Sequence, residues 1–492
     1  MTLATERPAT AETFESLEPR TGNVVGTFAV NTAAEVEAAV ERAREAFGWW
    51  QDLGWSGRKE RLDAWKRLIV RRGDELAELV HRENGKPISD ARLTEVTLPV
   101  DHIAWAGKHA PKVLGSRKVP AGMLMANQAA SLEYQALGVI GVIGPWNYPV
   151  FTPMGSIAYA LAAGNTVVFK PSEYTPAVGK WLVDTFAEVV PEQPVLQLVT
   201  GFGETGAALC RAGVNKIAFT GSARTGKKVM AACAETLTPV LMECGGKDAM
   251  IVADDADIDA AATAALWGGM SNAGQTCIGI ERVYVTETVY DAFVSSLTDK
   301  ARKVIAGESY GPITMPSQVD IIRRHIADAI AKGGRAVTGG NIDGGLVEPT
   351  ILLDVPEDSV AITEETFGPT ITVTKVRDTE EAVERSNATT YGLAGAVFSK
   401  KRGVDIARRL RTGMTSVNQV AAFAGIPSLP FGGSGDSGFG RIHGEDGLKE
   451  FARAKAITRQ RFDLPLPILS FERTPKVDKL LGRAVRFLHG RG

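Results

Sequence analysis

The sequence predicts an α/β protein built on parallel sheets, from three observations. Between Gly138 and Asp254, short apolar runs ("GVIGVIGP", "NTVVFKP", "VLQLVTG", "KIAFTG", "PVLMECGG") alternate with helix-like text such as "PAVGKWLVDTFAEVV". Strands buried on both faces read as continuous apolar runs, and parallel neighbours need helical crossovers. Each run also ends in Gly, Pro or a polar residue, which sets the chemistry-bearing letters at strand C-termini, where open α/β sheets take ligands. Finally, a second alternating region runs from "DAMIVADDADIDAA" to about Arg441. A chain of 492 residues exceeds one ordinary core, so Gly245 and Gly246 mark a boundary between two α/β domains.

The elements follow in order. "TAAEVEAAVERAREAF" places Val36, Ala39, Val40, Ala43 and Phe47 on one helical stripe with charges opposite. "RKERLDAWKRLIVRRGDELAELVHREN" continues in that style and stops near Gly85 and Pro87. "SLEYQA" alternates, with Leu132, Tyr134 and Ala136 on one face, as a half-exposed hairpin strand does. In the second region "EEAVERSN" reads as a helix, "GLAGAVFS" and "TSVNQV" as strands. The tail "VDKLLGRAVRFLHGRG" carries Val477, Leu480, Leu481, Ala484, Val485 and Leu488 on one stripe, with Lys479, Arg483 and Arg486 elsewhere. Such a stripe is expected to pack on its own or a neighbouring subunit, with a membrane surface as the alternative.

Composition excludes several classes. Fifty-five basic and 57 acidic residues leave a net charge of −2, so no global field draws nucleic acid or anionic membrane. The four cysteines, Cys210, Cys233, Cys244 and Cys277, lack metal-type spacing, and no metal is expected. The N-terminal text has early charges and no apolar core of a secretory signal, and no run approaches a transmembrane span. The expected setting is a reducing cytoplasm with free thiols.

Two glycine patterns compete for phosphate. "GFGETG", Gly201 to Gly206, fits a dinucleotide fingerprint but lacks an acidic ribose ligand about 20 positions on. "FTGSARTGKK", Phe219 to Lys228, nearly spells the phosphate loop of nucleotide hydrolases, yet Lys228 stands where a Ser or Thr must hold Mg²⁺. It still offers a helix N-terminus to a pyrophosphate. At the other strand ends stand Asn147 in "GPWNYP", Lys170 and Glu173 in "FKPSE", and Glu243 in "MECGGKD". A carboxylate at a buried strand end is costly unless paired or used. Each letter alone has a bland reading as a turn or ion pair; together they do not. Cys277 in "SNAGQTCIGIER" sits among Gly274, Gln275, Thr276 and Gly279, small or polar neighbours that make a poor core but suit an approachable nucleophile.

This constellation resembles the NAD(P)-dependent aldehyde dehydrogenase superfamily. "GPWNYP", "VFKPSE", "FTGS…G", "MECGGKD", "NAGQTC", "EETFGP", "GLAGAVFS" and "PFGGSGDSGFGR" occur in the family's order from about Gly138 to Arg441. The resemblance implies a Rossmann-type cofactor domain (1–117 and 139–245), a catalytic domain (246–445), and a small oligomerisation hairpin and C-terminal segment (118–138 and 446–492). It makes Cys277 the nucleophile, Glu243 the general base and Asn147 an oxyanion donor beside the Cys277 N–H. Lys170, Ser172 and Glu173 would hold the adenosine ribose, and Trp146 would lie along the cofactor. Phe219, Gly221, Ser222 and Gly226 would form the pyrophosphate turn. Cys244 would offer its carbonyl to the carboxamide, and Glu365 and Phe367 would position the nicotinamide. Three residues depart from the pattern: Cys244 stands where Leu is usual, Arg224 where Glu is frequent, and Gly435 where Lys is common, which removes one structural ion pair.

The resemblance further implies that a thiolate adds to an aldehyde and a thioester is hydrolysed to the acid. By family position Tyr148, Thr152, Gly155, Phe423 and Phe431 line the substrate tunnel, with Thr276 and Ile278 flanking the thiol. Aromatic walls without an evident cationic anchor favour an apolar or aromatic aldehyde, with a succinate-semialdehyde-type or CoA-acylating enzyme as alternatives. Glu243 argues against CoA acylation, Lys228 against nucleotide hydrolysis. Glu173 favours NAD, with NADP as the alternative. A homodimer or homotetramer is expected, with a small-molecule aldehyde and no nucleic acid as partner.

Overall fold

The computed structural model describes residues 12–464 and 466–490. The chain forms two compact units, one of Ala136–Ala452 with the chain before Leu114, the other of Leu114–Gln135 with the chain after Ala452. The larger is α/β as expected and holds two mainly parallel sheets. The six-stranded sheet runs in the order Gly438–Phe439, Val240–Cys244, Lys216–Gly221, Val139–Ile143, Thr166–Lys170, Leu196–Leu198. Only Gly438–Phe439 is antiparallel to its neighbour. From Val139–Ile143 the chain winds outward to Leu196–Leu198, then returns to the opposite side of its starting strand. Strand order therefore reverses between Val139–Ile143 and Lys216–Gly221, and a crevice opens where the two connections diverge.

The seven-stranded sheet runs Arg335–Thr338, Thr350–Leu353, Thr370–Val376, Ile280–Thr286, Asp248–Val252, Ala394–Phe398, Met414–Val417. Its buried strands meet the helices Ile258–Met270 and Tyr290–Ala301 in a core that includes Ile280, Val283, Phe293 and Ile371.

Local chemistry explains the helix ends. Ala33–Asp52 begins in a capping box, with Thr32 and Glu35 each satisfying the other's backbone N–H. The long text after it divides into Gly54–Arg71 and Gly73–Asn84, broken at Arg72 rather than continuous. Gly85 then closes the second helix in the left-handed region (φ 89°). An N-terminal hairpin, Thr13–Leu17 with Val24–Ala29, goes beyond what the sequence patterns indicate.

The smaller unit carries a three-stranded sheet with Gln128–Ala136 between Arg117–Val119 and Ala452–Gln460, and the helix Pro475–His489. No helix among the described residues is long and apolar enough to cross a membrane.

Candidate active site

The crevice at the strand-order reversal is a cleft of about 1280 Å³. Gly144 to Asn147, following the strand Val139–Ile143, line it together with Gly221, the last residue of Lys216–Gly221, and Ser222 after it. Ser222 caps the helix Ala223–Ala234, its Oγ accepting from the Thr225 N–H (3.3 Å). That helix's first N–H groups are therefore at the cleft wall, a setting suited to pyrophosphate. Lys170 is buried, with Nζ donating to the Pro171 carbonyl (3.2 Å), and burial lowers its pKa against the pull of Glu173. Ser172 Oγ donates to Glu173 (3.3 Å).

Phe219, Cys244, Glu365 and Phe367 complete the same wall, and both glycine patterns reach it through Gly203, Gly206 and Gly221. Gly226 lies beneath the wall rather than on it. A Cβ there would stand 3.2 Å from Cys244 Sγ, so its place is the close packing of helix on strand. Arg224, at one of the departures from the family pattern, also faces the cleft.

Cys277 opens into this cleft, half-buried, from a turn of unusual backbone. Asn272, Ala273 and Gly274 have φ values of 53°, 56° and 70°, three successive left-handed residues. Such strain persists only where surroundings over-determine it. Here a Cβ on Gly274 would fall 2.1 Å from the Gly368 backbone. Asn272 Nδ2 donates to the Asn147 and Gln275 carbonyls (3.0 and 3.1 Å), and Gln275 Oε1 accepts from the Thr314 N–H (2.7 Å). Burial, followed by the charges of Asp248, Glu365 and Glu243, pushes the Cys277 thiol up.

Asn147 Nδ2 donates to the Gln275 carbonyl at 3.0 Å, two residues before the thiol. The loop bearing Asn147 is braced by a fully buried ion pair that motif reading missed. Lys86 Nζ binds Glu95 and donates to the Asn147 carbonyl (3.0 Å). It also sits 3.8 Å over the Tyr148 ring. The other Glu95 oxygen accepts the N–H groups of Val150 (3.0 Å) and Phe151 (2.9 Å). Glu95 reaches them from a π-helical turn, Arg92–Thr97, a widening often found at functional sites.

A second buried pair braces the segment that carries Phe367. Lys247 Nζ binds Glu281 and donates to Thr366 Oγ1 (3.0 Å), while Glu281 accepts the N–H groups of Thr366 and Phe367 (2.8 Å each). Phe367 is thereby held at φ 51°, its ring 5.5 Å edge-on from Trp146. Glu365 accepts from the Gly246 N–H (3.0 Å), and burial pushes its pKa up to about 8.

Glu243 is the penultimate residue of the strand Val240–Cys244, buried, with no hydrogen-bond partner for either carboxylate oxygen. Burial raises its pKa well above the ordinary value, against the opposing charge of Arg441. The strand Gly438–Phe439 pairs across it, and a Cβ on Gly432 would lie 2.7 Å from Oε1. Gly435 adopts φ 64°, where a Cβ would meet the Thr390 carbonyl at 2.4 Å, and the neighbouring ion pair is Lys227–Asp436 (3.1 Å).

The seven substrate-wall residues are distributed differently from expectation. Tyr148 and Thr276 share a hydrogen bond (3.0 Å), and Phe423 and Phe431 stand 6.3 Å apart. Thr152 and Ile278 are buried. None of the seven is among the described residues lining the large cleft, which Cys277 and Asn147 do line. Gly155 is not an open wall position. A Cβ there would fall 2.6 Å from His443 Nε2, so the glycine makes room for that ring. Cys277, Glu365 and Phe367 also enter before strands of the second sheet, whereas Asn147, Lys170, Ser222 and Glu243 lie at strand C-termini of the first.

Comparison with known proteins identifies the family. The model of the aldehyde dehydrogenase family matches residues 6–457. A 4,4'-diapolycopene aldehyde oxidase of a Methylomonas species is 35% identical over 460 residues, covering 92% of this chain and 87% of that protein. A glutarate-semialdehyde dehydrogenase of Pseudomonas aeruginosa is 34% identical, covering 90% and 93%. A solved NAD-dependent aldehyde dehydrogenase from Sinorhizobium meliloti superposes with a TM-score of 0.88 at 32% identity, covering 93% of each chain. The chain belongs to the aldehyde dehydrogenase family. It is an aldehyde-oxidising oxidoreductase that uses a nicotinamide dinucleotide.

Proposed function

We propose that this enzyme oxidises an apolar or aromatic aldehyde to its carboxylic acid, with Cys277 as nucleophile, Asn147 as oxyanion donor and Glu243 as general base. One observation carries the assignment. A half-buried thiol on a strained turn opens into a dinucleotide-sized cleft, and the side-chain amide of Asn147 bonds the carbonyl two residues before it. The Cys277 thiolate attacks the carbonyl carbon, and the Asn147 amide with the Cys277 N–H stabilises the oxyanion. A nicotinamide bound in the cleft would supply the hydride acceptor. Glu243, buried and unpartnered, accepts a proton from the water that hydrolyses the thioester.

The half of the larger unit built on the six-stranded sheet holds the dinucleotide, and the half on the seven-stranded sheet supplies the thiol. Lys170, Ser172 and Glu173 would hold the adenosine ribose, and the Ser222 turn would hold the pyrophosphate. Phe219 and the Cys244 carbonyl would lie along the cofactor, and Glu365 and Phe367 would hold its nicotinamide end. Glu173 selects NAD over NADP, since a carboxylate accepts from a ribose hydroxyl and repels a phosphate. The relatives' names run from a polyene aldehyde to a dicarboxylic semialdehyde. The apolar choice rests on Tyr148, Phe423 and Phe431, beside which Lys86 and Arg441 are already engaged, by Glu95 and by the Gly433 carbonyl (2.9 Å). The four free thiols suit a reducing cytoplasm, and the smaller unit serves a homodimer or homotetramer.

The test is NADH formation across an aldehyde panel, with and without CoA. Benzaldehyde-type substrates should exceed succinic semialdehyde in kcat/KM, CoA should not raise the rate, and Cys277→Ala should abolish turnover. Wild-type turnover in Cys277→Ala removes the nucleophile assignment; a large preference for the semialdehyde removes the substrate class.

A further inference from the structure

From Arg453 to the C-terminus the chain has ten Lys or Arg and three Asp or Glu, in a protein whose net charge is −2. The helix Pro475–His489 sorts this charge onto one side. At about 100° per residue, Val477, Leu480, Leu481, Ala484, Val485, Phe487 and Leu488 occupy an arc of about 160°. Lys476, Lys479, Arg483 and Arg486 share a separate arc of about 80° beside it. The one acidic residue of the helix, Asp478, is paired with Arg473 (2.8 Å).

Val477 is buried, but the arc's edges are open. Leu480 is 50% exposed and Val485 44%, and in the segment just before the helix Leu469 is 84% exposed and Phe471 fully exposed. Water gains nothing from these side chains, and four clustered cations call for an anionic partner.

We infer that this helix docks on an anionic lipid bilayer, its apolar arc at the acyl boundary and its cations among the phosphates. The lysine and arginine stems reach past the apolar edge to the headgroups. Breadth favours a bilayer over a second copy. Helix pairing uses a narrow seam, whereas this arc takes nearly half the circumference. Two-fold pairing of the helix with itself would also bring the cation rows together. The inference does not depend on the catalytic assignments.

The test is co-sedimentation of the full-length enzyme with vesicles of equal parts phosphatidylglycerol and phosphatidylcholine, against phosphatidylcholine alone. Binding should be about tenfold stronger on the anionic vesicles and should weaken as salt rises. The double variants Leu480→Glu/Val485→Glu and Lys479→Glu/Arg483→Glu should each lose it while oxidising a small soluble aldehyde at the wild-type rate. Equal binding to both vesicle types overturns the proposal, as does anionic binding that survives both double variants. Analytical ultracentrifugation showing that Leu480→Glu/Val485→Glu dissolves an oligomer assigns the stripe to a second copy and overturns it too.

Discussion

Glu173 and Arg224 stand on the same cleft with opposite charges. On the proposed placement, the carboxylate would disfavour a 2′-phosphate and the guanidinium would favour one, so the balance between NAD and NADP would be set by the two together. Glu173→Gln keeps the shape, removes the repulsion and leaves Arg224 in place. The ratio of kcat/KM for NADP over NAD should then rise by roughly tenfold, about 1.4 kcal/mol of transition-state stabilisation. Steady-state kinetics with both cofactors checks this, and an unchanged ratio would detach Glu173 from the ribose. These residues were legible in the sequence because "FKPSE" and "FTGSARTG" are contiguous. Gly155 was not, because the ring that fills its missing side chain, His443, lies far along the chain.

At the scale of elements, the loop after Val139–Ile143 and the loop before Thr370–Val376 face the same cleft, each steadied by a buried Lys–Glu pair. Buried pairs add little net stability, but breaking one strands a charge, at a cost of about 3–5 kcal/mol. Lys86→Met should therefore lower unfolding free energy by about that much in urea. It should also lower kcat at saturating aldehyde, because the Asn147 carbonyl loses one of its two donors and keeps only Asn272 Nδ2. A variant that loses stability but keeps kcat would make the brace purely architectural. In the text of the chain Lys86 and Glu95 look like ordinary solvated charges. Only a chain that folds the π-helical turn against the "WNYP" loop reveals them as partners.

At the scale of the whole molecule, pH acts through groups that the core forces into their neutral form. His443 lies against His102, ring centroids 3.8 Å apart and planes tilted by 38°, and both are buried. Burial lowers His102 to about 4 and His443 well below 6.5. Below pH 6.5 the unfolded chain takes up protons that the folded rings refuse, so their share of stability is lost as pH falls. Each ring contributes a slope of up to about 1.4 kcal/mol per pH unit. His443→Asn should flatten the stability profile by about that slope as pH falls below 6.5. Urea melts across that window check it, and parallel profiles for the two proteins would show that the folded His443 ring takes up its proton as readily as the unfolded one.

The sequence alone determined the α/β class, most of the strands and the letters that gather at the cleft. Burial on both faces writes itself as unbroken apolar runs, and turns and nucleophiles keep their residues adjacent. Only the tertiary structure decided which charges are buried in pairs, which glycine faces the cleft and which admits a distant ring, and how far the apolar arc of Pro475–His489 stays open. Those outcomes depend on what a residue meets across tens or hundreds of positions, and desolvation, steric exclusion and ion pairing act only once the chain has brought the partners together.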